Sequence, residues 1–380
     1  MTASFLTLRC EPKLKNLQKK GAVMKNQNNK LNFTNQEFHI GIDVHKKNWV
    51  VTIRNNKMEL KTFSMNPTPD ALNHYMNHHY PNGNYFSAYE AGFSGLWAHR
   101  KLEQYGFKNL VIHAADVPTT NKEKITKTDK IDSRKIAREL ENNSLKCIYI
   151  PDECHQQLRS LCRLRYRSVQ NQTRVKNRIK GHLYYYGISI PSHQEMPHWS
   201  GNFINWLKTI EFKHETAKKY LLFCIEELYQ QRKRIAQIVR DLRDYTQEQG
   251  FYQQIKYIQS VPGIGFVSAI IIFTEIIDIN RFPKFDHLAC FVGLVPSLES
   301  SGDKSSEKGL TPRRNRFLRH LIVESAWVAI RKEPALLAAF NDLTKRIKKQ
   351  DAIIRIAKKL LNRIRYAWKN QTYYTNAVIE

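Results

Sequence analysis

The chain has 380 residues, enough for two or three domains, and 42 % of them are hydrophobic, enough for sizeable cores. Its 61 Lys and Arg against 34 Asp and Glu leave a formal net charge of +27, spread along the chain; self-repulsion of that size is best explained by a polyanion partner, so nucleic acid is expected. No apolar run reaches membrane-span length, the longest ("SAIIIFTEII") being broken by Thr274 and Glu275.

The first residues lack a basic segment followed by an apolar core, so no signal peptide is expected. Residues 1–36 read as a disordered basic leader, Lys/Asn/Gln-rich and aperiodic from residue 11, within which Met24 offers a second start. Residues 38–53 read as a strand with Ile40, Ile42 and Val44 on one face; "RNNK" at 54–57 signals a hairpin and "MELKTFSM" the returning strand. A helix over 70–80, a strand "NYFSAYE" at 84–90, a helix stopped at Gly106 and a strand "NLVIHAA" follow. This order, β-β-α-β-α-β, implies an α/β domain with a mixed sheet over residues 37–150. "KTDKIDSRKIAREL" then opens a helix ending near residue 143.

An Arg/Lys-dense helix is expected over 154–186, then an irregular stretch with Pro191 and Pro197, then a second long helix over 214–248. In the latter, Leu221, Cys224, Leu228, Gln231, Ile235, Ile238, Leu242 and Tyr245 form a heptad seam, which fits an intermolecular coiled coil and packing on a neighbouring helix of the same chain equally well. Residues 251–345 form a further helical unit: helix, "PGIG" turn, helix, then "FDHLACFVGLVP", a Ser/Gly loop and the helix "RFLRHLIVESAWVAIRK". Residues 346–380 read as a basic helix with a short polar end. The six cysteines form no C-x-x-C pair and no zinc-finger spacing, which fits a reducing, cytoplasmic setting.

Four carboxylates stand out. Asp43 interrupts the best strand, where a lone carboxylate is costly unless it is paired, hydrogen-bonded or metal-bound. Glu90 ends another strand, and Asp129 and Asp132 lie three apart at a helix start, on one face. Singly, each has an ordinary reading as a surface or helix-capping acid. Jointly, on a hairpin-first α/β layout, they point to hard oxygen ligands for Mg²⁺ or Mn²⁺ in a ribonuclease-H-like nuclease site. A second candidate is the Ser300–Ser301–Gly302 loop followed by Arg313, Arg314, Arg316 and Arg319, where cations could hold a phosphate beside a serine nucleophile. By itself it reads as a surface loop. The "PGIG" turn at 262–265 resembles a helix-hairpin-helix turn that faces phosphate, but small residues also allow close helix packing.

The ordered set "IGIDVHK", "AYEAG", "KTDKIDSRKIA", "LRYRSVQNQTRVKNRIK", "SVPGIG" and "FVGLVPSLESSG…LR" resembles the DEDD-type insertion-sequence transposases, over roughly residues 38–340. The resemblance implies an N-terminal RuvC-like domain, long coiled-coil helices that form a dimer over 151–250, and a mostly helical serine transposase domain over 251–345. It implies that Asp43, Glu90, Asp129 and Asp132 hold Mg²⁺ or Mn²⁺, and that Ser301, with Ser300 as its neighbour, is the nucleophile of a covalent phosphoserine link. It further implies a tetramer built from dimers, and a structured bridge RNA that pairs with donor and target double-stranded DNA in a prokaryotic cytoplasm, at the nucleoid. One departure is Arg314, where the family has Gly in a Lys-x-Gly-Asn step; the backbone freedom of glycine is lost there. Two other readings compete. One is a metal-dependent RuvC-like junction nuclease that uses water as nucleophile; the other is a non-catalytic nucleic-acid-binding protein.

Overall fold

In the computed structural model the described residues are 31–120, 128–301, 304–310 and 314–375; side chains within 297–301 and 304–310 lie outside the description. Residues 1–30 of the expected leader, together with Gly302 and Arg313, lie outside it too. The chain forms two compact units that divide between Ile150 and Pro151.

The first unit is a five-stranded mixed sheet. Strand β1 (Glu37–Val44) pairs antiparallel with β2 (Trp49–Asn55), and β2 with β3 (Met58–Met65). Helix α1 (Pro69–His79) leads to β4 (Asn84–Glu90), and α2 (Trp97–Gln104) to β5 (Lys108–Ile112). Strands β1, β4 and β5 run parallel, so the sheet order is β3-β2-β1-β4-β5. The single strand expected over 38–53 is two: the chain turns at His45–Asn48, where the His45 amide donates to the Asn48 carbonyl at 3.2 Å. Asp43 therefore sits one residue from the end of a strand, beside a turn, and not in the middle of one.

Strand alternation sorts the β1 residues. Ile40 and Ile42 enter an apolar layer with Trp49, Val51, Leu72, Met76 and Leu102. Gly41 and Asp43 take the other face, which helix α3 (Asp129–Glu141) covers. Thr128 caps α3, its hydroxyl accepting from the Ile131 amide. Gly41 lets α3 lie against bare backbone: a Cβ at that position would fall on the Ser133 carbonyl and the Ala137 amide. Two polar ties fix the helix. Ser133 Oγ meets Thr52 Oγ1 at 2.9 Å in the buried interface, and Glu141, at the far end, accepts from Arg54 Nε at 2.7 Å and from the Lys57 amide at 2.6 Å.

The second unit is helical. Helix α4 (Glu153–Tyr185) and helix α6 (Glu215–Glu248) flank the short α5 (Gly201–Thr209). The stretch read as irregular thus holds a helix, capped by Ser200, whose Phe203, Ile204 and Leu207 are buried. These three join Val175, Ile179 and Leu183 of α4 and Leu221, Cys224, Ile225 and Leu228 of α6 in one cluster. That half of the heptad seam is therefore buried within the chain itself.

Next come α7 (Tyr252–Gln259), α8 (Phe266–Ile276), α9 (Phe285–Val292), the two-stranded hairpin β6 (Pro296–Ser301) and β7 (Lys304–Leu310), α10 (Arg316–Ala329), α11 (Pro334–Thr344) and α12 (Lys349–Lys369). Their apolar faces build a large core that also takes Leu158 and Cys162 of α4 and Ile238 and Leu242 of α6. The basic C-terminal helix α12 belongs to this core, through Ile356, Leu360, Leu361 and Ile364. In the "PGIG" turn, Gly263 has φ +85°, and a Cβ there would lie 2.6 Å from the Ser325 carbonyl of α10. Close helix packing accounts for that glycine. Buried Cys162 and Cys224 act as small apolar residues, and burial pushes the Cys162 thiol up to about 12.

Candidate active site

The carboxyl ends of the parallel strands β1 and β4 lie side by side, with Ile42 opposite Tyr89. The next residue of each strand is an acid, Asp43 and Glu90. In open α/β sheets, ligands bind at this edge. The N-terminus of α3 brings Asp129 and Asp132 to the same edge.

Asp43 is the centre of the group. Burial pushes its carboxyl above the ordinary range; His45 pulls it back, and the charges of Asp129 and Asp132 add to the upward push. His45 Nε2 lies 3.0 Å from Asp43 Oδ2 and 3.6 Å from Asp129 Oδ1. Donor atoms of Asp43, His45 and Asp129 all fall within 4.8 Å of one another, close enough to share one cation. On the other flank, Lys135 Nζ lies 3.1 Å from Asp132 Oδ1 and 4.0 Å from Glu90 Oε1. All four acids expected from the sequence thus meet in one cluster, joined by two basic side chains that sequence reasoning passed over. Position is the signal that would have found both. His45 lies two residues beyond Asp43, and Lys135 three beyond Asp132.

The residue set fits a divalent ion. Two carboxylates and an imidazole converge, and burial destabilises the central carboxyl in its charged form, only partly offset by His45. Asp43, Asp129 and His45 would hold the ion, with Asp132 and Glu90 completing the acidic edge. There it would neutralise charge developing on phosphate oxygens.

Ser301 belongs to the second unit. The segment expected as a loop is a hairpin: Ser301 ends β6 opposite Lys304, and Ser300 pairs with Ser305. The hairpin leads to Arg314 and to Asn315, which caps α10 by accepting from the Leu318 amide at 3.0 Å. Arg314 is not among the described residues with positive φ, and its Cβ occupies the space that a side chain at Gly293 would fill. The room for Arg314 is therefore provided by Gly293, which ends α9 in the left-handed region at φ +84°.

Beneath the hairpin exit lies Glu275 of α8, with a side chain only 1 % exposed. Arg163 of α4 donates to both its oxygens, at 2.8 and 2.9 Å, and Asn315 Nδ2 donates to Oε2 at 2.8 Å. Nearby, burial and the charge of Arg314 push the Arg319 guanidinium down, and its buried Nη1 has no hydrogen-bond partner among the described residues.

Two stretches of the chain match known family models. A family model described as Transposase IS116/IS110/IS902 family matches residues 255–341, and a DEDD transposase model of the IS110 type matches residues 40–188. A Sinorhizobium fredii protein named as a transposase, y4rJ, is 28 % identical over 314 residues, 76 % of this chain and 76 % of its own length. A second, y4qE, is 24 % identical over 242 residues, 64 % of this chain and 58 % of its own length. The Coxiella burnetii transposase for insertion sequence element IS1111A is 27 % identical over 213 residues, 55 % of this chain and 56 % of its own length. The chain thus spans little more than half the length of two of these relatives. Among the described residues no helix is long and apolar enough to cross a membrane. With one model over the acidic unit and the start of the helical one, and another over the part that carries Ser301, the chain is similar along both stretches to the IS110/IS116/IS902 insertion-sequence transposases.

Proposed function

We propose that this protein is an RNA-guided DNA recombinase of an insertion sequence, which cuts and rejoins donor and target DNA through a covalent link to Ser301. The observation that carries the reading is the meeting of Asp43, Glu90, Asp129 and Asp132 at one sheet edge, in a chain of net charge +27. In the covalent step a bond forms between Ser301 Oγ and phosphorus. The bond from phosphorus to one deoxyribose oxygen breaks, and the serine proton ends on that oxygen. Arg314 and Arg319, downstream of the hairpin, supply positive charge for a phosphate, and the solvent-poor Arg319 guanidinium suits an anion. A divalent ion, Mg²⁺ or Mn²⁺, belongs to the acidic edge. A bridge RNA supplies sequence choice, and the net charge of +27 suits a chain that holds both RNA and DNA. Exposed Tyr220, Leu222, Phe223 and Tyr229 on α6 support assembly through the long helices, as a dimer and then a dimer of dimers. The protein would act in a prokaryotic cytoplasm at the nucleoid, with a coiled-coil region over 151–250 and a serine domain over 251–345 whose core the basic helix α12 completes.

A second reading has its own support: the acidic edge is complete within the first 150 residues, as a junction nuclease using water would need. One experiment separates the two. The protein is incubated with RNA transcribed from its flanking DNA, labelled donor DNA and Mg²⁺, then denatured. A protein-linked DNA band lost in Ser301→Ala and kept in Ser300→Ala is expected. Cleavage without an adduct in any lane would favour the nuclease. Asp43→Asn should bind RNA and fail to cut.

A further inference from the structure

In the helical unit, three cationic side chains from α4 and α6 gather on one indole. Lys176 and Lys180 stand one turn apart on α4, and their ammoniums lie 5.5 and 5.9 Å from the centre of the Trp199 ring. From α6, Arg232 Nη2 donates to the Trp199 carbonyl at 2.6 Å. Trp199 has φ +69°, a left-handed backbone that a bulky residue keeps only where its surroundings hold it. Burial, then the charges of Arg232 and Lys180, push the Lys176 ammonium below its ordinary value, and no carboxylate of the described residues pulls it back. An indole face attracts cations without neutralising them, so the three like charges remain a deficit that an anion would remove. One turn beyond Lys180, on the same face of α4, Tyr184 is 86 % exposed.

We propose that this corner of the helical unit binds a single-stranded segment of nucleic acid: Lys176, Lys180 and Arg232 hold a backbone phosphate, and Tyr184 stacks on the adjoining base. The site is separate from the acidic edge and from Ser301. It shares with the proposed function only the premise that the chain binds nucleic acid. Both ammoniums keep N–H donors for phosphate oxygens, and the Arg232 guanidinium has further N–H groups besides the one that meets the Trp199 carbonyl. The row Lys176–Lys180–Tyr184 extends about 12 Å along α4, room for a phosphate and its neighbouring base. Positive charge beside an open aromatic ring is the pattern that holds single strands, with little regard to sequence. In a duplex the faces of the bases are already covered by their neighbours, so Tyr184 selects an unpaired strand. Folded RNA displays such bases in its loops and bulges.

The test reads binding instead of turnover. Full-length protein is titrated into a labelled uridine oligonucleotide, its deoxyuridine counterpart and a DNA duplex, and fluorescence anisotropy is followed at several salt concentrations. Wild type is compared with Lys176→Gln/Lys180→Gln, Tyr184→Ala and Tyr184→Phe. A control, Lys219→Gln/Lys345→Gln, removes the same charge from two exposed lysines elsewhere. Each variant is checked for folding by thermal melting. Lys176→Gln/Lys180→Gln should weaken single-strand binding about tenfold and make the salt slope shallower by about 0.7, the share of one phosphate contact. The control should change much less. Tyr184→Ala should weaken single-strand binding about fivefold to tenfold and leave duplex binding unchanged, while Tyr184→Phe binds as wild type does. Loss on either single strand supports the site, and the strand that loses more is its occupant. An equal loss in the control, or Tyr184→Ala binding single strands as wild type does, would overturn the proposal. Wild-type binding with unaltered variants removes this site alone; if wild type binds no probe, the nucleic-acid reading itself fails. Should the double lysine variant not fold, Tyr184→Ala against Tyr184→Phe decides the matter.

Discussion

The two units each hold a partly or fully buried carboxylate centre, and the centres are built on opposite plans. Glu275 in the helical unit is almost fully enclosed, and three donors from Arg163 and Asn315 meet its two oxygens. Asp43 in the sheet unit is more exposed, has one histidine contact, and is crowded by the charges of Asp129 and Asp132. A saturated carboxylate holds helices together. A carboxylate short of positive charge leaves a deficit that a cation or a phosphate-bound ion would fill. Helix α3 repeats the contrast along its own length: Glu141 at one end is satisfied by Arg54 and the Lys57 amide, while Asp129 and Asp132 at the other crowd like charges.

The comparison breaks most visibly if Arg163 is removed. Arg163→Ala would leave Glu275 enclosed with Asn315 as its one remaining hydrogen-bond donor among the described residues, and a loss of roughly 3–5 kcal/mol in denaturant unfolding is expected. A loss under about 1 kcal/mol would mean that Glu275 is not the saturated centre described. Gly41→Ala comes next. It touches no charge, yet its Cβ collides with the α3 backbone, so a loss of roughly 1–3 kcal/mol is expected. DNA cleavage should fall with it, because α3 carries two of the acids; unchanged cleavage would show that α3 is free to shift. Glu141→Gln is the smallest, at about 1 kcal/mol near neutral pH. Burial pushes the Glu141 carboxyl up, but the hydrogen bonds from Arg54 and the Lys57 amide outweigh it, and the net shift is below its reference value of 4.5. A depressed folded-state value gives stability that is present above pH 4.5 and lost as the pH falls through the lowered one. The difference between wild type and Glu141→Gln in thermal melts should therefore shrink on acidification below that point. A difference that grows instead would reverse the sign of the contact.

The acids of the site were readable because each stands against a strong local pattern. Asp43 breaks an apolar alternation, Glu90 ends one, and Asp129 and Asp132 open a helix behind the cap Thr128. His45 and Lys135 were hidden because a basic residue in a chain with 61 Lys and Arg carries little contrast. The turn at His45–Asn48 has no Gly or Pro, so the run from Phe38 to Ile53 reads as continuous. The hairpin at 296–310 is poor in β-branched and aromatic residues, so its composition reads as a loop; pairing between the two segments makes it a sheet. Helix α5 was missed for a related reason. Its run is short and follows two prolines, and its burial against α4 and α6 is a tertiary fact.

Helix α4 joins two separate apolar clusters, with Leu158 and Cys162 in one and Val175, Ile179 and Leu183 in the other. Its 33 residues span about 50 Å without interruption. The helix is a lever arm, and the core that contains Glu275 is its fulcrum. A rotation of about 5° there would carry the distal tyrosines Tyr184 and Tyr185, roughly 30–40 Å away, through about 3 Å. Arg163 sits on this arm and grips Glu275, whose other donor, Asn315, caps the helix after the serine hairpin, so a continuous chain of contacts runs from the arm to the hairpin's exit.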